Sequence, residues 1–267
     1  MTFLHIFILA IVQGITEFLP ISSSGHLILL PILTGFQDQG QLIDVSVHIG
    51  TLGAVIIYFR KESVLAFTGL THLVTGRLQT PAARLALLLI VATIPVVVFG
   101  LILKLTGLSD QMRSIKVIGW TMLGFGLVLY FIDQKGAQTK EYSSWNMVDT
   151  IKLGLWQAVA LIPGTSRSGA VITGTRWLGY NRQDGARIAM LMSIPTIIAS
   201  GVLLGAEALA SADTQGLRDG AIAAAFTFFA ALIALSLMMR LLRSVSFTPY
   251  VIYRVALGTI LLWIGYS

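Results

Sequence analysis

Glu17 is a carboxylate set in an otherwise apolar stretch, four residues after Gln13 and shortly before the run Ser22, Ser23, Ser24, Gly25 and His26. Residues four apart share a helical face, so Gln13 and Glu17 point the same way, one turn from each other. An ionisable side chain at membrane depth is costly, which makes Glu17 a functional candidate and not only a polar group satisfied by neighbouring helices. The three serines precede a helix expected to begin near Gly25. Serine caps such an end well, and the same end presents free N–H groups and positive dipole to an anion. His26, in the first turn, is either a structural imidazole or an acid/base group near the carboxylate.

A second polar run, Pro163-Gly164-Thr165-Ser166-Arg167-Ser168-Gly169, again breaks an apolar stretch. A guanidinium stays charged and inside a membrane needs an anionic partner. Arg167 therefore pairs with Glu17 or clamps a phosphate in bidentate fashion, helped by Ser166, Ser168 and the helix start at Gly169. Both hold if the pair rests together until substrate arrives. Two helix starts, an arginine, hydroxyls, a histidine and a carboxylate together suit phosphoryl transfer. Ser22, Ser24 and Gly25 are the matching phosphate-contact candidates in the first run. Glu17, with Gln13, is the candidate holder of a divalent cation, Mg²⁺ or Ca²⁺, since hard cations take oxygen ligands. Asp44 and His48 share another helical face and read as structural or supporting residues. Arg254 is expected to pair with a buried acid or to reach the interface.

The elements that position these groups follow from composition. Of 267 residues, 55% are hydrophobic and 11% charged, against about 25% charged in soluble domains. Mean hydropathy is +0.83. The chain reads as an all-α integral membrane protein, a single membrane domain over 1–267. Six segments approach bilayer length, roughly 42–59, 84–103, 115–132, 187–208, 220–239 and 250–265. Residues 3–19 contain Gln13, Thr16 and Glu17 and lack a basic leader, which argues against a cleavable signal. With no cysteine, disulfides and thiolate chemistry are excluded. The net charge of +6 is explained by basic cytoplasmic loops, not by a nucleic-acid partner. Glycines in the crossings permit a homodimer.

The stretches 3–36 and 152–180 are broken at Pro20 and at Pro163-Gly164, and residues 27–36 are too few to span a bilayer. Irregular polar backbone at membrane depth is tolerated only inside protein or along a wet cavity, so both read as re-entrant helical hairpins. They also match each other at an offset of 144 positions: Gln13 with Gln157, Ser22 with Ser166, Ser24 with Ser168, Gly25 with Gly169, Ile28 with Ile172 and Gly35 with Gly179. Each is followed by three spanning segments, giving one repeat over about 1–135 and another over about 145–267. If segment 42–59 runs inward, inner loops and flanks hold twelve Lys and Arg residues and outer ones four, Lys104, Arg113, Lys116 and Arg218. Three crossings separate the hairpins, which predicts an inverted-topology repeat with its site at the repeat interface.

Gln13-x-x-x-Glu17 with Phe18-Leu19-Pro20-Ile21-Ser22-Ser23-Ser24-Gly25-His26, and the later Pro163-to-Gly169 run, resembles the undecaprenyl-diphosphatase (bacitracin-resistance) family. Further matches include His48-Ile49-Gly50-Thr51-Leu52, Met192-Ser193-Ile194-Pro195 and Phe247-Thr248-Pro249-Tyr250 with Tyr253-Arg254, so the resemblance covers nearly the whole chain. It implies removal of the terminal phosphate of undecaprenyl diphosphate, recycling a polyprenyl lipid carrier for cell-wall synthesis. It also implies a divalent cation, a place in the bacterial inner membrane, and a site open to the periplasmic or outer face. By position it assigns Glu17 as essential carboxylate, Ser23 and His26 as active-site residues and Arg167 as phosphate binder. One position departs: Val171 stands where the family's second motif usually has Thr. The rival expectations are a transporter or flippase of polyprenyl phosphate lipids using the same anion site, and a membrane scaffold, in which Glu17 and Arg167 would have no use.

Overall fold

The computed structural model describes residues 1–35, 39–112, 114–210 and 213–267, with the side chains of 32–34, 109–110 and 206–210 also left aside. Arg113, counted above on the outer side, and residue 36 lie outside the described residues. The chain runs through α1 (Phe3–Thr16), α2 (Ser23–Thr34), α3 (Gly40–Tyr58), α4 (Arg60–Val74), α5 (Pro81–Thr106), α6 (Leu108–Gln111), α7 (Ile115–Lys135), α8 (Met147–Val159), α9 (Arg167–Trp177), α10 (Arg182–Ala210), α11 (Thr214–Leu241) and α12 (Thr248–Tyr266). No strand occurs among the described residues.

Six of these helices, α3, α5, α7, α10, α11 and α12, are long and apolar enough to cross a membrane. They are the six predicted segments; α7 starts where predicted, the other five start earlier, and α5 and α11 do so behind a side-chain cap. Thr80 accepts a hydrogen bond from the Ala83 N–H with Pro81 at the first helical turn, and Asp213 accepts one from the Gly216 N–H. A hydropathy reading stops where the apolar run stops, whereas a cap carries the helix onward through polar residues. α4 was not anticipated. Its mixed composition reads as loop, yet Val64, Phe67, Leu70 and Val74 are exposed along one side and Gly69 lets α5 approach closely. That is the pattern of a helix lying at an interface.

At both polar breaks the chain turns and starts a short helix. α2 has 12 residues and α9 has 11, a rise of about 17 Å against a hydrocarbon core of about 30 Å. Ser22 and Ser166 immediately precede these helices with φ of +71° and +73°, and no other non-glycine residue among those described has positive φ. Such a backbone costs about 1–3 kcal/mol and survives only where its surroundings fix it. Gly35 and Gly179, which follow α2 and α9, also share positive φ, at +69° and +91°. These four residues are two of the pairs read at offset 144.

Packing repeats the correspondence. α1 packs on α11 and α8 packs on α5; α3 also packs on α11 and α10 on α5; α7 and α12 pack together. The first helix of each broken segment thus leans on the second spanning helix of the other half. In the last turn of α9, fully buried Arg176 donates to the Asp133 carboxylate at 2.8 Å and to the carbonyls of Asp133, Gly136, Ala137 and Tyr180. This network fixes the exit of the second break to α7.

Candidate active site

Folding brings α1, α2, α3 and the start of α9 to one carboxylate. Glu17 Oε1 accepts from Arg167 Nη2 at 2.8 Å. Its other oxygen, Oε2, accepts from Gln13 Nε2 at 2.9 Å and from the Ser23 hydroxyl at 3.1 Å. Gln13 and Glu17 meet because they lie four apart on the same turn. Ser23 arrives because the Ser22 turn reverses the chain, and Arg167 because the second break abuts the first. Two polar atoms here are buried and have no partner in the protein, Arg167 Nη1 and Gln13 Oε1. One is a cationic donor and the other a neutral acceptor, each satisfiable by a ligand of opposite character.

His48 joins this group, although its spacing suggested only a supporting place. Its Nδ1 lies 2.7 Å from the Asp44 carbonyl, which can only accept, so Nδ1 carries the proton. The ring's other nitrogen, Nε2, faces Gln13 Nε2 at 3.3 Å and Glu17 Oε2 at 3.8 Å. What sequence offered was the shared face of Asp44 and His48; what it lacked was the packing of α3 beside α1. Ser23, Ser24, Asp44 and His48 line a cavity of about 720 Å³ with Leu27 and Leu204 on its wall. Its lining mixes hydroxyl, amide, imidazole and carboxylate groups with the apolar side chains of Leu27, Ile28, Val45 and Leu204.

His26 takes a different position from the one its sequence neighbourhood suggested. Its Nδ1 donates to the Ser22 carbonyl at 2.8 Å, and its Nε2 faces the Tyr253 hydroxyl at 2.6 Å, with the two rings parallel within 2°. It bonds neither Glu17 nor Ser23. By holding the Ser22 carbonyl, it braces the strained turn that delivers Ser23. Tyr253→Phe removes the hydroxyl that fixes this imidazole, and turnover is expected to fall about five- to tenfold with unchanged folding, measured as phosphate release beside thermal melting.

Several of the candidate phosphate contacts hold the two breaks together or cap α9. Ser168 is fully buried and donates to the Leu19 carbonyl at 3.0 Å, sewing the two breaks together instead of facing the cavity. Ser166 caps α9 by accepting from the Gly169 N–H at 3.1 Å. Gly25 and Gly169 are needed for space: a Cβ would lie 2.7 Å from Met122 Sδ in the first case and 2.9 Å from Arg254 Nη1 in the second. Ser22 makes no capping bond and meets the Ser24 hydroxyl at 3.0 Å, while Ser24 accepts from the Gly164 N–H at 3.3 Å. Of the six, Ser24 is the one that both touches the second break and lines the cavity.

Arg254 neither finds an acid nor reaches an interface. It is fully buried and donates to the carbonyls of Pro20 at 3.3 Å, Gly164 at 3.1 Å and Met122 at 3.3 Å. One guanidinium thus holds the backbone of both breaks, satisfying carbonyls that a helix would otherwise satisfy. Nothing in its sequence surroundings indicated carbonyls as partners.

A family model described as Bacitracin resistance protein BacA matches residues 6–260. The chain belongs to that family. Curated relatives named undecaprenyl-diphosphatase include proteins of Ruegeria pomeroyi, 67% identical, and Jannaschia sp., 66% identical, each over the whole of both chains. A relative from Rhodospirillum rubrum named undecaprenyl-diphosphatase 1 is 42% identical over all of this chain and 96% of its own. The matched BacA region contains both breaks and every residue of the Glu17 cluster. Val171 lies inside the apolar core, fully buried, so a threonine there would not reach the cavity. Its hydroxyl would bond back to the preceding turn, as Thr173 donates to the Gly169 carbonyl at 2.7 Å. Val171→Thr is therefore expected to change phosphate release by less than about twofold, and a gain of about tenfold would disprove this placement.

Proposed function

We propose that this chain hydrolyses undecaprenyl diphosphate to undecaprenyl phosphate and inorganic phosphate, at a site shared by the two breaks. The supporting observation is the Glu17–Arg167 contact of 2.8 Å with the Ser23 hydroxyl 3.1 Å from the same carboxylate. That is a nucleophile on its base, next to a phosphate clamp whose Nη1 is unpartnered. The curated relatives carry the name of this activity, and those reported above carry no transporter's name.

In this reading the terminal phosphoryl group takes the open face of Arg167 and the isoprenoid tail follows the apolar wall of the cavity. Ser23 Oγ gives its proton to Glu17 and bonds to the terminal phosphorus. The bond from that phosphorus to the bridging oxygen breaks, and its electron pair leaves with undecaprenyl phosphate. Water then attacks the phosphoseryl group, releasing inorganic phosphate and restoring the Ser23 hydroxyl. Arg167 offsets charge on the transferring oxygens throughout. His48 Nε2 lies 3.8 Å from the Glu17 oxygen that receives this proton.

The donor set fits a hard divalent cation. Glu17 supplies a carboxylate, Gln13 a buried Oε1 without a donor, and Ser23 a hydroxyl. Among the described residues no three His, Cys, Asp or Glu side chains cluster as metal ligands. A Mg²⁺ or Ca²⁺ held here would therefore complete its shell with phosphate and water, as Mg²⁺ commonly does. When bound, it would neutralise part of the diphosphate charge.

The two broken segments are read as re-entrant hairpins of an inverted repeat. The shared serine geometry and reciprocal helix packing support this. The positive-inside count supports a bacterial inner-membrane orientation with the site on the periplasmic side. The test is phosphate release from undecaprenyl diphosphate by purified protein in detergent, with and without Mg²⁺ or Ca²⁺. Cation-dependent release supports the phosphatase; a folded protein that releases nothing and yet moves lipid phosphate across vesicles supports the transport alternative.

A further inference from the structure

A second cavity, of about 820 Å³, lies at the other end of the same two helices that wall the first. On α3, His48 of the candidate site and Tyr58 of this cavity are ten residues apart, about 15 Å of helix. On α10, Ser200 and Gly201 line the first cavity and Gln183 and Arg187 the second, about 20 Å or more apart along the helix. The two cavities are thus separate and face opposite ends of the molecule.

The second cavity is strongly basic. Arg60, Lys61, Arg187, Arg240 and Arg243 line it, opposed by Glu62 and Asp184. Arg187 is paired with Glu62 and stacks over the Tyr142 ring at 4.0 Å. The Asp184 carboxylate is taken by the Asn181 amide at 2.8 Å. Arg60, Lys61, Arg240 and Arg243 have no ion pair among the described residues, and all four are exposed to the cavity or its mouth. Basic flanks are ordinary on one side of a membrane protein. Here four unpaired cations share one concavity, where mutual repulsion is relieved by a bound anion.

The rim indicates what kind of anion. Beside Ser236 and Arg240, the α11 residues Ile233, Leu237 and Leu241 are exposed at intervals of four, an apolar stripe that runs from the cavity edge along the helix. A charged hollow continuous with a lipid-facing stripe fits a molecule with an anionic head and acyl chains. We propose that this cavity binds the phosphate headgroup of an anionic phospholipid, such as phosphatidylglycerol, at the end of the bundle opposite the candidate active site.

The test uses the full-length protein in nanodiscs of phosphatidylcholine with or without phosphatidylglycerol, reading acylation of Lys61 by an amine-reactive reagent. Phosphatidylglycerol is expected to slow Lys61 modification while leaving Lys135, outside the cavity, unaffected. Equal Lys61 reactivity in both nanodiscs overturns the proposal, as does equal slowing at Lys135, which would report only surface charge. Inorganic phosphate in phosphatidylcholine nanodiscs is the third arm, and protection equal to that by the lipid overturns the lipid assignment in favour of a soluble anion. The Arg240→Gln/Arg243→Gln protein, checked by size exclusion, is expected to bind phosphatidylglycerol about tenfold more weakly or worse by native mass spectrometry. Unchanged binding by that folded variant also overturns the proposal. Lys61 protection in the unaltered chain decides the matter if the variant does not fold.

Discussion

Arg167→Ala is expected to lower phosphate release from undecaprenyl diphosphate by about 10³-fold or more. Two effects of the guanidinium disappear together. Nη1, buried and unpartnered, is the donor available to the transferring phosphoryl group, and Nη2 holds the Glu17 carboxylate at 2.8 Å. Removing one member of a buried pair leaves the other charge uncompensated, so some loss of stability accompanies the loss of rate. Glu17 still keeps Gln13 and Ser23 as donors, and the fold, held at the breaks by Arg254 and Ser168, is expected to persist in size exclusion and circular dichroism. Arg167→Lys separates charge from shape. A lysine retains the cation but cannot serve phosphate and carboxylate with a rigid fork, so its rate is expected to lie between the two, about 10²-fold below the unaltered protein. A folded Arg167→Ala protein with normal turnover would remove Arg167 from the site.

The six crossings were legible because each is a long apolar run, and the two breaks because serine, proline and arginine interrupt such runs. The Glu17–Arg167 pair was also legible, since each buried charge demanded a partner and each was the other's best candidate. What sequence could not reveal is direction. His48 points at Glu17 and His26 points away from it, though His26 is much nearer in sequence, because the turn at Ser22 faces His26 toward α12 while α3 packs beside α1. Arg254 was misread for a related reason. A buried arginine was expected to need an acid, but carbonyls freed by two helix breaks satisfy it equally well, and those breaks are remote in sequence. α4 escaped because its apolar positions form a stripe, not a run.

At the offset of 144 positions the two breaks bring different side chains to the Glu17 cluster. Ser23 corresponds to Arg167, and Glu17 corresponds to Leu161. In the proposed mechanism the first break thus carries base and nucleophile where the second carries an apolar residue and the phosphate clamp. The features that stayed alike are those that make the turn: the strained serines, the glycines after the short helices and the serines two residues on. The two breaks thus share the backbone of the turn and differ in the side chains that meet between them.

Ser23→Ala tests the division of labour at that interface. Turnover is expected to fall by about 10⁴-fold or more, because the bond to phosphorus has no replacement for the hydroxyl. Binding of diphosphate lipid is expected to stay within about threefold, since in the proposed mechanism Arg167, not Ser23, holds the phosphate. The folded state loses one hydrogen bond to Glu17, about 1–2 kcal/mol. The covalent step has its own signature. With substrate labelled in the terminal phosphate, rapid acid quenching is expected to trap label on the unaltered chain as an acid-stable phosphoserine, absent from Ser23→Ala. An acid-labile adduct lost in His26→Ala and kept in Ser23→Ala would make the imidazole the nucleophile. The structure argues against that outcome, since both His26 nitrogens are engaged, by the Ser22 carbonyl at 2.8 Å and the Tyr253 hydroxyl at 2.6 Å, whereas Ser23 rests on a carboxylate able to take its proton.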